Sequence, residues 1–384
     1  MDSELEKLYK KETKIISAVA PRSKGAVLLE TEDKLRVIYD VYTKIPCNKT
    51  TLLKVNLLFL HGSGMNRSIW EYYIANLPQH LEETPNWSIN KIVTMDQVTH
   101  GDSAELNRYQ LGVNFDWADG ARDACRVAEE EFFPKDSPDS INIVVGHSMG
   151  GFQALSCGVL SPFMFNQIIV IEPVVYVPHV YNQEGVTIVP PKFHKALLSK
   201  MDDTFKNMED FKNFMKTRSF YRNSHPEIVD RMVQFEAVSL PDGRVRAKIS
   251  KEQNIMCYLT LDPTAKWLIG SLPFIKTPVY GIVGGKSTWC PPQNQELLVA
   301  KLPEYHQDFI SDGDHLVNLE DPDTCLKKIT AYISEYVSIR NVDNTYTLPE
   351  QIASVSQRKQ IFNMKFLQFE KERVMDGDIV LAKL

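Results

Sequence analysis

Residues 146–151 read Gly-His-Ser-Met-Gly-Gly and directly follow the apolar run Ile141-Asn142-Ile143-Val144-Val145. The β-branched run predicts a strand, and Phe152-Gln153-Ala154-Leu155-Ser156-Cys157 after the motif is compatible with a helix. Between them the chain must turn sharply, with Ser148 at the tip. Gly146 and Gly150 lie two positions to either side of that serine, the spacing of a nucleophile elbow. Such a turn holds its serine in a strained backbone conformation, and a side chain at either flanking position would collide with the turn. The Gly-x-Ser-x-Gly pattern alone is a weak signal. The strand before it and the helix after it make it specific.

Strands alternating with helices extend over most of the chain. Ala26–Thr31 and Leu35–Tyr42 read as two strands around the charged turn Glu32-Asp33-Lys34. Lys54–Leu60 is nearly all apolar, as a strand buried on both faces requires, and stops at His61-Gly62-Ser63-Gly64. Trp70, Tyr73, Ile74 and Leu77 share one face of a helix. Lys91–Met95, Gln167–Ile171, Pro278–Val283 and Gln307–Ile310 read as further strands, and Asp116–Phe133 as a helix. This alternation predicts an α/β protein whose mostly parallel central sheet carries helices on both faces.

About a hundred residues separate Glu172 from Pro278 with little strand signal, far more than a crossover needs. The expected organisation is a core in two parts, 1–175 and 276–340, with a mainly helical cap inserted at 176–275. In that segment Phe205, Met208, Phe211, Phe214 and Met215 recur at helical spacing. They build either the cap's own core or the wall of an apolar tunnel. Past Ile339 a turn-rich linker leads into an amphipathic helix over Pro349–Val374 and a short tail, so that 341–384 form a separate C-terminal segment. The exposed face of that helix is available to its own domain or to a second subunit in a homodimer.

An activated serine needs a base, a group that orients the base, and donors for the oxyanion. His315, in Asp312-Gly313-Asp314-His315 after the last strand, stands where the base is wanted. His147 adjoins the nucleophile and points away from it. His61 and His100 are expected as hydrogen-bonded scaffold. The oxyanion donors are expected to be the backbone N–H of Met149, at the start of the helix after Ser148, and that of Ser63. The acid must fall between serine and histidine in the chain. The loop after Pro278–Val283 reads Gly-Gly-Lys-Ser-Thr-Trp-Cys-Pro-Pro, with Ser287 where an aspartate is expected. Glu172, at the end of the preceding strand, is preferred because a carboxylate stabilises an imidazolium far better than a hydroxyl. Ser287 and Asp312 remain alternatives, and Asp314 adjoins His315 too closely in the chain to reach its ring.

His61-Gly62-Ser63-Gly64, Asp96-Gln97-Val98-Thr99-His100-Gly101-Asp102-Ser103, the 146–151 motif and the late His315 together resemble the α/β-hydrolases. Ile69-Trp70-Glu71-Tyr72-Tyr73, residues 112–123, Ile171-Glu172-Pro173-Val174-Val175 and Trp289–Gln295 are similar in more detail to peroxisomal lipases of yeast type. The resemblance spans Lys54 to about Ile339 apart from the insertion. It implies a hydrolase of fatty acyl esters that works through an acyl-enzyme without metal or organic cofactor. An acyl-CoA thioesterase would use the same machinery. A binding protein on a hydrolase scaffold is the reading from another class, and the missing carboxylate at 287 is its support. Epoxide hydrolysis and dehalogenation need a carboxylate nucleophile, and position 148 is serine.

The chain ends Ala382-Lys383-Leu384, a variant of the Ser-Lys-Leu address read by the peroxisomal import receptor. With the resemblance, this implies the peroxisomal matrix. Six scattered cysteines lack any Cys-x-x-Cys pair or metal-ligand spacing and are expected as reduced thiols. The N-terminus carries no apolar leader, and no run is long enough to span a membrane. A formal net charge of −6 and the lack of a dense basic cluster argue against nucleic acid and against charge-driven membrane binding.

Overall fold

The structure is a computed structural model that describes residues 2–45, 53–81, 86–132, 140–176, 180–181, 187–261, 264–345 and 355–373. Its centre is an eight-stranded sheet. The strands are β1 (Tyr9–Ser17), β2 (Arg36–Lys44), β3 (Leu53–Leu60), β4 (Trp87–Met95), β5 (Ser140–His147), β6 (Gln167–Ile171), β7 (Val279–Gly284) and β8 (Tyr305–Ile310). They lie in the order β1-β2-β4-β3-β5-β6-β7-β8. From β4 to β8 every pairing is parallel, while β2 runs antiparallel to both β1 and β4.

The central strands β3, β5, β6 and β7 are buried along nearly their whole length, which is why they read as continuous apolar runs. Helices cover both faces. The helix Trp117–Phe132 packs on the helix Met149–Leu160, where Trp117 meets Phe152 edge-on at 5.4 Å. The helix Pro322–Thr345 lies against β7, and the Tyr332 hydroxyl donates to Gly281 O at 3.2 Å. Because β3, β4, β5, β6, β7 and β8 run the same way, their C-terminal ends collect at one edge, where open α/β sheets form their sites.

The long connection from β6 to β7 is mainly helical, with helices Pro191–Leu198, Met208–Thr217, Pro226–Glu236, Lys251–Leu259 and Thr264–Ser271 and a small three-stranded sheet. Phe205, Phe211, Phe214 and Met215 are buried, and Phe205 stacks on Phe211 at 4.6 Å. Four of the five residues of the Met/Phe stripe are thus buried, while Met208 is exposed. Chain contacts divide the molecule into two compact units, 1–336 and 337–384, and the second contains the helix Val355–Arg373.

Three expectations need correction. Ala26–Thr31 is not a strand; within it Val27 makes only an isolated bridge to Leu111. The outermost strand is β1, whose Lys10, Lys11, Glu12 and Lys14 hide its character from an apolar pattern. Charge on an edge strand discourages pairing with another chain. Here it also makes ion pairs, Lys11 with Glu71 and Lys14 with Glu131, each at 2.8 Å. Finally, residues 341–345 continue the helix Pro322–Thr345 and are not linker. Ala382-Lys383-Leu384, expected as an address, and Cys47 lie outside the described residues. Cys125, Cys157, Cys257, Cys290 and Cys325 form no disulfide among the described residues, and all are buried.

Candidate active site

β5 ends at His147, and the chain reverses through Ser148 into the helix Met149–Leu160. Ser148 has φ 54° and ψ −114°, a conformation that costs an L-residue on the order of 1–3 kcal/mol. The surroundings enforce it. A Cβ built on Gly146 would lie 2.0 Å from Gly150 O, and one on Gly150 would lie 2.3 Å from Leu60 O. Only glycine allows the helix to start this close to β3. The Ser148 N–H donates to Ile171 O at 3.0 Å, which ties the elbow to the end of β6.

Glu172 follows β6 directly and also has positive φ, 48°. Among the described residues, Ser148 and Glu172 are the two non-glycine residues with positive φ. Strain at Glu172 turns its fully buried side chain along the strand ends toward β7. There Oε1 accepts from the Gly284 N–H at 2.7 Å, and Oε2 accepts from the Ser287 hydroxyl at 2.5 Å.

His315, in the loop after β8, joins the two. Its Nε2 is 3.0 Å from Ser148 Oγ, and its Nδ1 is 3.1 Å from Glu172 Oε2. Since a carboxylate only accepts, the ring proton sits on Nδ1, and Nε2 is left to take the serine proton. The hydroxyl is sheltered but reachable: Ser148 and His315 each keep 8% of their surface exposed.

The structure therefore brings Ser148, His315 and Glu172 into one chain of hydrogen bonds. Ser287, weighed as an alternative acid, is instead hydrogen-bonded to Glu172. Asp312 is elsewhere, with its side chain 90% exposed and paired to Lys286 at 2.6 Å. Asp314 accepts from the backbone N–H of His315 at 2.7 Å and so shapes the loop.

The segment after β3 passes over Ser148. A Cβ on Gly62 would be 3.2 Å from Ser148 Cβ, and the Ser63 hydroxyl donates to Met149 Sδ at 3.4 Å. Ser63 and Met149 thus stand side by side next to Ser148. Met149 opens its helix, so its amide has no partner within the helix.

Three buried histidines brace these loops. His61 Nδ1–H donates to Gly62 O at 2.8 Å, and its Nε2 accepts from the Gln97 N–H at 3.2 Å. His100 Nε2 accepts from the Gly64 N–H at 3.0 Å. His147 Nε2–H donates to His315 O at 2.8 Å and holds the loop of the base. Burial lowers the pKa of His61 and pushes those of His100 and His147 well below the usual value. All three are kept neutral.

Sequence reasoning missed two neighbours. Trp289 stacks on the His315 ring at 5.5 Å and 22°. Phe193, Phe220 and Tyr258, all from the long connection, gather on that indole at 6.0, 6.2 and 5.8 Å. An apolar wall thus stands beside the reacting groups. Cys290, next in the chain, has its Sγ 3.9 Å from His315 Nδ1 and 3.4 Å from Glu172 O. The signal was the position of the Trp-Cys pair in the loop after β7, where the carboxylate had been sought. As for metal ligands, Glu172, Cys290 and His315 offer donor atoms within 4.8 Å of one another.

Comparison with known proteins agrees with this architecture. The model of the Alpha/beta hydrolase family matches residues 57–327. The chain is 38% identical over 380 residues to the peroxisomal membrane protein LPX1 of Saccharomyces cerevisiae, covering 96% of this chain and 97% of that one. The crystal structure of that peroxisomal alpha-beta-hydrolase superposes with a TM-score of 0.81 over 96% of this chain and 99% of its own. A thioesterase domain from the curacin biosynthetic pathway shares the fold at 15% identity, with a TM-score of 0.57 over 84% of this chain and 99% of its own.

Proposed function

Since the chain belongs to the alpha/beta hydrolase family, we propose that it is a serine hydrolase that cleaves fatty acyl esters in the peroxisome through an acyl-enzyme. The observation that carries this reading is the unbroken relay from Ser148 Oγ through His315 to Glu172 Oε2, at 3.0 and 3.1 Å. Ser148 attacks the acyl carbonyl as His315 Nε2 takes its proton. Glu172 keeps the imidazole in the required tautomer and stabilises the imidazolium that forms. The amides of Met149 and Ser63 receive the charge that develops on the carbonyl oxygen, where fixed donors are worth most. His315 then returns its proton to the departing alcohol. In the second half-reaction it activates a water that frees the acid.

The substrate class rests on the wall of Trp289, Phe193, Phe220 and Tyr258, which suits a long apolar acyl chain. In this reading residues 176–275 act as the cap that carries most of the wall. The location rests on the peroxisomal relative and on Ala382-Lys383-Leu384 as an address for the import receptor.

A fluorophosphonate probe tests the nucleophile. It is expected to label Ser148, and Ser148→Ala is expected to lose both labelling and hydrolysis of acyl esters. Intact turnover in that variant would sink the proposal. Turnover on matched esters and thioesters tests the substrate class, since preference for the thioester would make the protein a thioesterase.

A further inference from the structure

We propose that Glu172, Cys290 and His315 form a binding site for a borderline divalent cation such as Zn²⁺, on the side of the imidazole away from Ser148, and that occupation of this site switches the hydrolase off. Three donors of different kinds meet there: a carboxylate oxygen, a thiol sulfur and an imidazole nitrogen, all within 4.8 Å of one another. Among the described residues no other trio of histidine, cysteine and carboxylate donors does so.

Two of the three donor separations approach those around a tetrahedral ion. Zinc holds nitrogen and oxygen at about 2.1 Å and sulfur at about 2.3 Å. Tetrahedral angles then set nitrogen and oxygen roughly 3.4 Å apart, and sulfur and nitrogen roughly 3.6 Å apart. Here Nδ1 and Oε2 are 3.1 Å apart, and Sγ and Nδ1 are 3.9 Å apart. The other carboxylate oxygen is already engaged by the Gly284 N–H, which fixes the orientation of Oε2 as a ligating carboxylate requires. The Ser287 hydroxyl is hydrogen-bonded to Oε2 itself at 2.5 Å, so the fourth position would be taken by a solvent water.

The charges balance as well. A divalent cation meets one carboxylate and one thiolate, and the thiol proton leaves to solvent on binding. The loop over the site is thin, for Gly285, Lys286 and Thr288 are exposed. The consequence for the base follows from proton counting. A neutral imidazole that ligates through Nδ1 carries its single proton on Nε2. It then has no lone pair for the Ser148 proton, and Glu172 no longer faces the ring as a free carboxylate.

Binding stands apart from the serine-hydrolase reading, and only the inhibition rests on it. The test uses Co²⁺ and Zn²⁺ on the full chain. Co²⁺ added to the Ser148→Ala protein is expected to give a thiolate-to-cobalt charge-transfer band and the intense visible bands of tetrahedral cobalt. Titration calorimetry is expected to give one Zn²⁺ per chain. Cys290→Ser is expected to remove the charge-transfer band and weaken Zn²⁺ binding by at least about tenfold. In the wild-type protein Zn²⁺ is expected to stop ester hydrolysis over the concentration range that fills the calorimetric site, and a chelator to restore it. Absence of the band in the Ser148→Ala protein overturns the proposal without any cysteine variant. So does a band that survives Cys290→Ser. A Cys290-dependent band in a protein without ester turnover would leave the metal site standing and sink the serine-hydrolase reading instead.

Discussion

Among the described residues, positive φ outside glycine falls on the two whose side chains meet the same imidazole. Ser148 leaves β5 and Glu172 leaves β6, and a relaxed extended backbone would send each into the sheet's own packing. Positive φ at each turns it to the sheet edge instead. His315 then needs only to drop between them. Glu172→Gln keeps the shape but offers the ring an amide in place of an anion, which favours the wrong tautomer and leaves the imidazolium unpaired. We expect kcat to fall by about 10³–10⁴-fold with the fold unchanged by circular dichroism. Ester turnover within a few-fold of wild type would show that the relay does not operate. Glu172 was legible in the sequence because it is the carboxylate at a strand end between Ser148 and His315. Its bond to Ser287 was not legible, since the two lie on different strands and were weighed as rivals.

The elements are joined by a buried charge network that no local pattern reveals. Arg67, in the short helix after the Ser63 loop, bonds Asp40 on β2 at 2.9 Å, Asp102 at 2.7 Å and Asp96 beyond β4. On the helix Pro226–Glu236, Arg231 bonds Glu71, and Glu236 accepts from Asn66 at 3.0 Å. Four cations, Lys11, Arg67, Arg231 and Lys248, stand 5.3–5.9 Å from the Phe235 ring. The network pins the inserted segment to the core and fixes the loop beside Ser148. Arg67→Met leaves the fully buried Asp96 without its cation, while Asp40 keeps Lys11 at 3.0 Å and Asp102 keeps Lys248 at 2.5 Å. We expect a loss of about 3–5 kcal/mol in urea denaturation. A loss below about 1 kcal/mol would mean that the network is solvated like a surface pair. The motif around Asp96 and Asp102 was visible in the sequence. Its cationic partners at 67 and 248 were not, because charge pairing depends on proximity in space rather than along the chain.

For the whole molecule, acid acts through His61, His100 and His147. In the unfolded chain each takes a proton near pH 6.5. In the fold, burial holds each pKa lower. Below pH 6.5 the unfolded chain therefore binds more protons, so their contribution is complete above that pH and is lost as the pH falls. Asp123 and Glu236, raised by burial, act in the opposite sense and start from the ordinary carboxylate range. Between pH 7.0 and 5.5 the unfolding free energy from urea denaturation is expected to drop by up to about 1.4 kcal/mol per pH unit for each histidine. A flat profile would mean that these imidazoles accept protons in place. The sequence by itself determined the sheet's direction, the elbow and the placing of Ser148 and His315 at strand ends, because apolar periodicity and glycine spacing record steric demands made within a few residues. Tertiary structure alone decided the charged edge strand β1, the stacking of Trp289 on His315, and the meeting of Cys290 with Glu172. Each of these depends on which strand ends become neighbours, and that is settled by the packing of the whole sheet.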